Sequence, residues 1–204
     1  IQMVVALKPI HDHYCIRRVV VSTYQSVSGS GQKAIDELEQ QTKDVLKGKS
    51  VQGNVYPHQI AFNCLPHIDV FLENGYTKEE MKMSNETRKI LHDDEINISA
   101  TCVRVPVFTS HSESAHIEFD GPIDVETARK VLGSAEGIKV LDNPGKNIYP
   151  MPLVSTGQDE VFVGRLRKDI SKQNSIALWM VSDNLRKGAA LNAIQIAEEL
   201  INMD

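Results

Sequence analysis

Hydrophobic residues recur along the chain with two spacings, one typical of helices and the other typical of strands. Apolar positions three or four residues apart predict amphipathic helices over about residues 32–46, 77–92, 124–132 and 185–201. Short β-branched or alternating apolar runs predict strands over about residues 17–23, 97–105, 112–119, 137–141, 161–167 and 176–181. This order of elements predicts an α+β fold, in which a mixed, mostly antiparallel sheet carries its helices on one face.

Two regions, the first residues and the segment 49–73, interrupt this pattern. The apolar residues Ile1, Val4, Val5 and Leu7 lie near helical spacing but leave no room for an N-cap. We therefore expect a helix that begins before residue 1 and a chain that is cut within this element. Residues 49–73 contain glycine and proline but show no strong periodicity. A segment of this length without periodicity is usually either functional or an interface arm.

Composition and charge argue against several classes of protein. The 204 residues include 22 Lys and Arg against 27 Asp and Glu, a net charge of −5 without a basic block, which disfavours a general nucleic-acid binder. No run of about 18 apolar residues is present, so no membrane span is expected. The cysteines Cys15, Cys64 and Cys102 form no Cys-x-x-Cys pair, which favours a reducing, cytoplasmic compartment. The histidines have no metal-ligand spacing with a third ligand, and no metal is predicted.

The segment RVPVFTSH places an arginine and a histidine at the two ends of a strand-like run. In one unbroken strand Arg104 and His111 would face opposite sides, but Pro106 predicts an edge, bend or bulge that brings both to one side. They are either two solvated residues of an edge strand or half of an active site, and the spacing alone favours the edge strand. Arginine matches a carboxylate with a planar fork, and histidine can take and give a proton near neutral pH.

The segment YQSVSGSG lies between a predicted strand and a predicted helix. Exposed amides at a helix N-terminus favour anions, and glycines let a ligand approach the main chain. Gln25 could hydrogen-bond a carbonyl or carboxylate there. The segment is not a G-x-x-x-x-G-K-[ST] loop, and by itself it is better explained as a flexible turn.

The residues Thr77-Lys-Glu-Glu80 form a capping box, which predicts the start of the second long helix. Glu79 and Lys82 then share a helix face at i, i+3 and could hold the two ends of a zwitterionic ligand. The alternative is a surface ion pair that contributes about 0.3–0.5 kcal/mol, and this explanation is favoured when the pair is taken alone.

The segment WMVSDNLRKGAALNA precedes the last predicted helix. Asp183 or Asn184 is expected to cap that helix, and Gly188 and the alanines permit close packing. Taken alone, the segment is interpreted as a C-terminal helix docked on the sheet.

Five stretches occur in a fixed order over nearly the whole chain: STYQSVSGSG, EEMKMSNETRKIL, CVRVPVFTSHSES, VGRLRKD and SDNLRKGAALNAIQIAEEL. Together they resemble the C-terminal, catalytic and dimerisation half of the aspartate-semialdehyde dehydrogenases. The resemblance implies one domain, 1–204, with the fold of the C-terminal domain of glyceraldehyde-3-phosphate dehydrogenase-like enzymes. It also implies that the final helix, 184–202, packs against an NADP-binding domain that is absent from this chain. The nucleophilic cysteine would lie just before Ile1, so the 204 residues alone are expected to be inactive.

The resemblance also implies a role for each candidate residue. His111 would act as general acid/base, and Gln25, Glu79 and Arg104 would bind the substrate. Lys82 would bind phosphate. The residues that would contact NADP are Ser28, Gly29 and Asn184. Ser110 stands where relatives commonly have glycine. If this position requires a positive φ, the serine is expected to strain the turn before His111.

The implied reaction is the NADPH-dependent reductive dephosphorylation of β-aspartyl phosphate to aspartate semialdehyde through a cysteine thioester. It would serve the biosynthesis of lysine, threonine, methionine, isoleucine and diaminopimelate. The implied assembly is a homodimer through the sheet face and residues 49–73. Two alternatives stay open: an enzyme resembling N-acetyl-glutamyl-phosphate reductase, whose substrate has no free ammonium group, and a non-catalytic dimerisation module.

Overall fold

In the computed structural model, which describes residues 1–202, six strands form one mixed sheet. The strands are β1 (Ile16–Gln25), β2 (Asn97–Arg104), β3 (His111–Phe119), β4 (Ile138–Val140), β5 (Val161–Lys168) and β6 (Ser175–Ser182). Their order across the sheet is β2-β1-β3-β6-β5-β4. The pairs β1–β3, β3–β6 and β5–β6 are antiparallel, whereas β1–β2 and β4–β5 are parallel. The predicted mixed, mostly antiparallel sheet is confirmed.

Three of the helices cover one face of this sheet. The helices are α1 (Gln2–His13), α2 (Gln32–Leu46), α3 (Lys78–Leu91), α4 (Val125–Ser134), α5 (Pro152–Ser155) and α6 (Leu191–Asn202). The shorter turns are Val27–Ser30, Pro144–Lys146 and Arg186–Ala190. Helix α1 contacts α3, α4, β5 and β6, while α3 packs on β2 and α4 on β4 and β5. None of the helices in residues 1–202 has both the length and the apolar character needed to cross a membrane.

The main hydrophobic core lies between these three helices and the sheet. Val19 of β1 and its antiparallel partner Ile117 of β3 both face the helices and are fully buried. Helix α1 contributes Leu7 and Ile10, which are three residues apart and therefore on one helix face. Burial of each such side chain contributes about 1.5–3 kcal/mol, so this core holds the strand ends and the start of α1 in fixed positions.

Residues 49–73 form an irregular segment that polar side chains of α2 hold in place. Oε2 of Glu37 accepts a hydrogen bond from the N–H of Val55 at 2.6 Å. Oε1 of Gln41 accepts one from the N–H of Ile60 at 2.9 Å. Both acceptors belong to buried residues, so these bonds order the segment from within. The predicted irregular conformation is confirmed, and the role of the segment as an interface arm stays a prediction.

The end of the described chain differs from the continuous, docked helix predicted over 185–201. A π-helical turn, Arg186–Ala190, precedes α6, and Lys187 within it has non-helical dihedral angles. Asp183 accepts a hydrogen bond at 2.9 Å from the N–H of Leu185, the residue before this turn, and lies too far along the chain to cap α6. No residue of α6 is buried. The prediction of one helix docked on the sheet is wrong, because helical spacing shows which side is apolar but not whether another element covers it.

Candidate active site

A cavity of about 840 Å³ lies at one end of the sheet, where β1, β2 and β6 end and β3 begins. The first turn of α1 and one face of α3 form its other walls. All eight residues that were predicted for the site line this cavity: Gln25, Ser28, Gly29, Glu79, Lys82, Arg104, His111 and Asn184. The structure therefore brings together residues from distant segments of the chain, while their roles stay predictions.

The register of the sheet explains why Arg104 and His111 face the same cavity. Gln25 pairs with Arg104, and His111 pairs with Ser182, so each pair projects on one face of the sheet. The chain leaves β2 at Arg104, turns through residues 105–110 and returns on the other side of β1. The two residues thus belong to different strands, and the bend predicted between them is present.

Ser110 makes the turn into β3 with a φ of 71°. This left-handed conformation is uncommon for residues other than glycine. The N–H of Ser110 donates to Oδ1 of Asn184 at 3.0 Å, and its hydroxyl lies 2.9 Å from Oγ1 of Thr156. Position 110 does require a positive φ, and these two hydrogen bonds stabilise the serine in that conformation.

The guanidinium of Arg104 forms one wall of the cavity. The residue is 5% exposed, and its Nη1 donates to the carbonyl of Ser26 at 2.6 Å. Its Cζ lies 5.8 Å from the centre of the Tyr56 ring, which adds a cation–π contact. Burial lowers the pKa of Arg104, although arginine still keeps its charge at neutral pH. Nε has no hydrogen-bond partner within residues 1–202, so the N–H of this buried guanidinium is available to a ligand.

One ring nitrogen of His111 is hydrogen-bonded, and the other has no hydrogen-bond partner among residues 1–202. Nδ1 accepts a hydrogen bond from the N–H of Ser26 at 3.1 Å, which assigns the proton of the neutral ring to Nε2. Burial and, after it, the positive charge of Arg104 lower the pKa of His111 to about 3. The imidazole is therefore neutral at physiological pH and can donate a hydrogen bond from Nε2.

Gly29 keeps the space between these two side chains open. A methyl group at this position would lie 3.2 Å from Nη1 of Arg104 and 3.3 Å from Nε2 of His111. Both distances are shorter than an ordinary van der Waals contact between heavy atoms. Only glycine leaves room here for a flat group to approach both functional nitrogens.

Helix α3 supplies an acidic group and a second cation. Oε2 of Glu80 accepts a hydrogen bond from the N–H of Thr77 at 2.8 Å, and Oγ1 of Thr77 accepts one from the N–H of Glu80 at 3.3 Å. This predicted capping box is confirmed and fixes the first turn of the helix. In that turn, Glu79 lies 3.4 Å from Nε2 of Gln25 and 3.6 Å from Nζ of Lys82. The expected pair of opposite charges therefore faces the cavity.

Asn184 ties the strand–helix turn to the loop before β3. Its Oδ1 accepts hydrogen bonds from the hydroxyl of Ser26 at 3.1 Å and from the N–H of Ser110 at 3.0 Å, and its Nδ2 donates to Oγ of Ser28 at 3.0 Å. Ser26 is fully buried and also holds the arginine and the histidine described above. The sequence analysis missed Ser26, because nothing in the segment distinguishes it from the neighbouring serines.

Two other polar residues of the cavity, Gln2 and Glu113, were also missed. Glu113 follows His111 by two positions, so both side chains project from the same face of β3. Burial raises the pKa of Glu113 to about 7. The alternation of β3 contains the signal that could have identified it, since Glu113 falls in phase with buried apolar residues of the strand.

No three His, Cys, Asp or Glu side chains in the described part of the chain are grouped so that they could hold a metal ion. The cavity combines a buried guanidinium, a neutral imidazole, a carboxylate and an exposed amine. This combination can bind a small molecule with opposite charges and can donate a hydrogen bond to a reacting oxygen.

The fold and this cavity place the chain in a known class of domain. The family described as "Semialdehyde dehydrogenase, dimerisation domain" matches residues 7–187, and the chain belongs to this family. The chain is 60% identical over 202 residues to the aspartate-semialdehyde dehydrogenase of Aquifex aeolicus (strain VF5), and 56% identical over 201 residues to that of Legionella pneumophila. These alignments cover 98% of the chain but only 59% and 58% of the two relatives. The resemblance to the C-terminal part of these enzymes is confirmed.

Solved structures agree with this assignment. The crystal structure of aspartate semialdehyde dehydrogenase II from Vibrio cholerae, described as a complex with ASA, matches with a TM-score of 0.95 and 51% identity over 98% of this chain and 59% of that one. The enzyme from Candida albicans, described as a structure with NADP, matches with a TM-score of 0.68 and 26% identity over 96% of this chain and 53% of that one.

Proposed function

We propose that the chain is the substrate-binding and dimerisation part of an NADP-dependent aspartate-semialdehyde dehydrogenase. The complete enzyme would convert β-aspartyl phosphate, NADPH and a proton to aspartate semialdehyde, NADP⁺ and phosphate. The observation that carries this proposal is the convergence of Gln25, Glu79, Arg104 and His111 on one cavity beside the first turn of α1. The names of the relatives and of the solved structures support the same reaction.

The charged ends of this substrate match opposite walls of the cavity. The fork of Arg104, with its Nε unpaired in residues 1–202, would bind the α-carboxylate, while Glu79 would bind the α-ammonium group. Gln25, whose Nε2 is 3.4 Å from Glu79, would hydrogen-bond the substrate between them. Lys82, whose side chain is 55% exposed, would reach the phosphate. Holding both ends of the substrate fixes the position of its acyl carbon.

His111 would act on the oxygen of the reacting carbonyl group. Its neutral ring has the proton on Nε2, so it can donate a hydrogen bond or transfer that proton as charge develops on the oxygen. The bond from the N–H of Ser26 to Nδ1 keeps the ring in this orientation.

The residues proposed to contact the cofactor fit a flat ring near His111. When bound, NADPH supplies the hydride. Ser28 and Asn184 are hydrogen-bonded to each other, and the space at Gly29 is one that a methyl group would fill. The preference for NADP over NAD would be set in a dinucleotide-binding part outside these residues.

The exposed face of α6 supports a contact with such a part of a longer protein. Ile194, Ile196, Leu200 and Ile201 are 55–73% exposed. A chain that spans 59% of the length of its relatives has room for a further domain in the complete protein. The segment 184–202 is therefore proposed to pack against the dinucleotide-binding domain.

A homodimer is the proposed assembly. The sheet face opposite α1 carries Tyr24 and Trp179 in contact, with their ring centres 5.3 Å apart, and Tyr24 is 38% exposed. In the segment 49–73, Phe62 and Phe71 are 63% and 60% exposed. The family description names a dimerisation domain. A monomer in sedimentation at micromolar concentration would contradict the dimer.

The same proposal includes a cytoplasmic location and a role in the biosynthesis of lysine, threonine, methionine, isoleucine and diaminopimelate.

The test uses the complete protein with the residues that precede Ile1. It should reduce NADP⁺ when aspartate semialdehyde and phosphate are added, whereas the 204 residues alone should not. Absence of activity in the complete protein would contradict the proposal.

Glu79→Gln in the complete protein separates the two enzyme classes. Loss of the carboxylate should raise the KM for aspartate semialdehyde by about 10-fold or more, since a hydrogen bond to a charged group contributes about 1.5–3 kcal/mol. The matched control is Glu95→Gln, at an exposed position after α3, which should have little effect. Equal KM values for Glu79→Gln and the control would favour the N-acetyl-glutamyl-phosphate class, and a protein that lacks both activities would favour the non-catalytic dimerisation module.

A further inference from the structure

Glu113 is a buried acidic residue at the cavity for which the proposed function has no role. It pairs with Thr23 of β1 and Met180 of β6, so it occupies the middle of the sheet on the helix-covered face. Only 7% of the residue is exposed. Glu113 is about 6.8 Å along the strand from His111 and reaches the cavity from beneath the first turn of α1.

The neighbour of Glu113 in that turn is Gln2. The hydroxyl of Ser182 donates to Oε1 of Gln2 at 2.6 Å, which orients the amide and leaves Nε2 as its free end. The Gln2 side chain is close enough to Glu113 to lower its pKa in part, against the larger effect of burial. Even so, neither Nε2 of Gln2 nor Oε2 of Glu113 has a partner within the described chain. Buried polar groups are normally paired, so these two neighbouring groups are available to pair with each other.

The charged groups that face the same cavity do not include a side-chain partner for this carboxyl. They come from every wall: Glu79, Lys82 and Glu86 of α3, Arg104 of β2, His111 of β3, Asp69 of the segment 49–73, Lys187 of the π-helical turn, and the α-ammonium of Ile1. Burial has the largest effect on the pKa of Glu113, and the Ile1 ammonium lowers this pKa in part. In a longer chain an uncharged amide replaces that ammonium, and the pKa of Glu113 is expected to be higher.

We propose that Glu113 is a positioning residue that works as a neutral carboxylic acid: it holds the first turn of α1 through Gln2 and keeps that end of the cavity free of negative charge. The inference rests on the proposed function, because the ligands proposed for the cavity are anionic at the carboxylate and the phosphate. An ionised carboxylate buried beside them would repel both in an environment of low dielectric constant. A neutral acid keeps the packing against Gln2 without this repulsion.

The first test measures protonation of Glu113 in the 204-residue chain and does not depend on any activity. A folded-state pKa raised to about 7 stabilises the fold below the unfolded-state pKa of about 4.5, and this stabilisation is lost as the pH rises through 7. The Tm of the wild type minus that of Glu113→Gln should therefore decrease as the pH is raised from 5 to 8. The variant has no carboxyl group at this position to titrate. A constant difference over this range would overturn the neutral state while leaving the proposed function untouched.

Glu118→Gln is the matched control on the same strand. Arg18 and Lys172 bind Glu118 on the open face and lower its pKa, so its contribution is present above the unfolded-state pKa and lost only as the pH falls. Its Tm difference from the wild type should be flat between pH 5 and pH 8. If Glu113→Gln does not fold, infrared spectra of the wild type with labelled glutamate provide the second measurement. A protonated carboxyl band should be present at pH 6 and absent at pH 9, and its absence at pH 6 would overturn the proposal.

The second test uses kinetics of the complete enzyme. Glu113→Gln should keep kcat/KM within about 3-fold of the wild type at pH 7, whereas Glu113→Ala should lose about 10-fold or more. The KM for phosphate should rise with pH more steeply in the wild type than in Glu113→Gln, because only the wild type gains a negative charge. An equally large loss in both variants would instead assign an ionised, catalytic carboxylate and would overturn the proposal.

Discussion

Strand β3 carries a histidine on each of its faces, and the two rings have opposite surroundings. His111 is on the helix-covered face, where burial and Arg104 lower its pKa to about 3. His116 is on the open face, where its side chain is 47% exposed and its Nδ1 lies 2.8 Å from Asp169. Hydrogen bonds from Ser171 and then His116 lower the pKa of Asp169 to about 2. One face therefore favours a neutral imidazole, and on the other face the imidazole lies in contact with a carboxylate.

The two glutamates of the strand show the same contrast. Burial raises the pKa of Glu113 to about 7 on the covered face. On the open face, a hydrogen bond from Arg18 at 2.6 Å lowers the pKa of Glu118. Because successive side chains of a strand alternate between faces, a shift of one position decides between these two kinds of chemistry.

The largest expected effect comes from removing the histidine of the covered face. In the complete protein, His111→Asn should lower kcat by about 10²–10⁴-fold, the usual contribution of a positioned proton-transfer group. The matched variant His116→Asn should leave kcat close to that of the wild type. Steady-state kinetics and circular dichroism check both variants, and similar losses in the two would remove the functional distinction between the faces.

A smaller effect is expected from exchanging the cation of the covered face. Arg104→Lys keeps the charge but loses the planar fork, so the KM for aspartate semialdehyde should rise by about 10–100-fold. Arg18→Lys, on the open face, should keep its surface contact with Glu118 and change the KM little. An unchanged KM in Arg104→Lys would show that this guanidinium does not bind the substrate carboxylate.

The smallest effect concerns stability on the open face. Asp169→Asn should lower the Tm at pH 7 by at most about 2–4 °C, since surface ion pairs contribute about 0–1 kcal/mol. The pKa of Asp169 is lowered to about 2, so its contribution is present above pH 4 and lost as the pH falls towards 2. Thermal melts of the 204-residue chain at several pH values check this. A Tm difference that grows as the pH falls would reverse the sign and contradict the assignment.

Much of the site could be predicted because its residues occur in local patterns. The capping box at Thr77 places Glu79 and Lys82 on one face of α3, and helical geometry alone requires this. The proline after Arg104 predicts the bend before His111. The sequence analysis raised the question whether position 110 requires a positive φ, and Ser110 adopts one at 71°.

The missed residues had no local pattern of this kind. Ser26 accepts a hydrogen bond from Arg104 and donates hydrogen bonds to His111 and Asn184. All three partners are distant from it in the sequence. Gln2 enters the cavity only because α1 packs on the sheet with its first turn above Glu113. The prediction that the last helix docks on the sheet was wrong for the same reason, since spacing does not report what covers a helix.

By itself, the sequence determined the strands, most of the helices, the family and the eight candidate residues, because alternation, capping and motif order are properties of neighbouring positions. The tertiary structure alone decided which strands pair and which face of each strand is covered. That choice buries Glu113, half-buries His111, and leaves His116 and Glu118 beside charged side chains on the open face. The physical reason is that burial and ion pairing depend on contacts between residues far apart in the chain, and these contacts set the charge of a side chain as much as its type does.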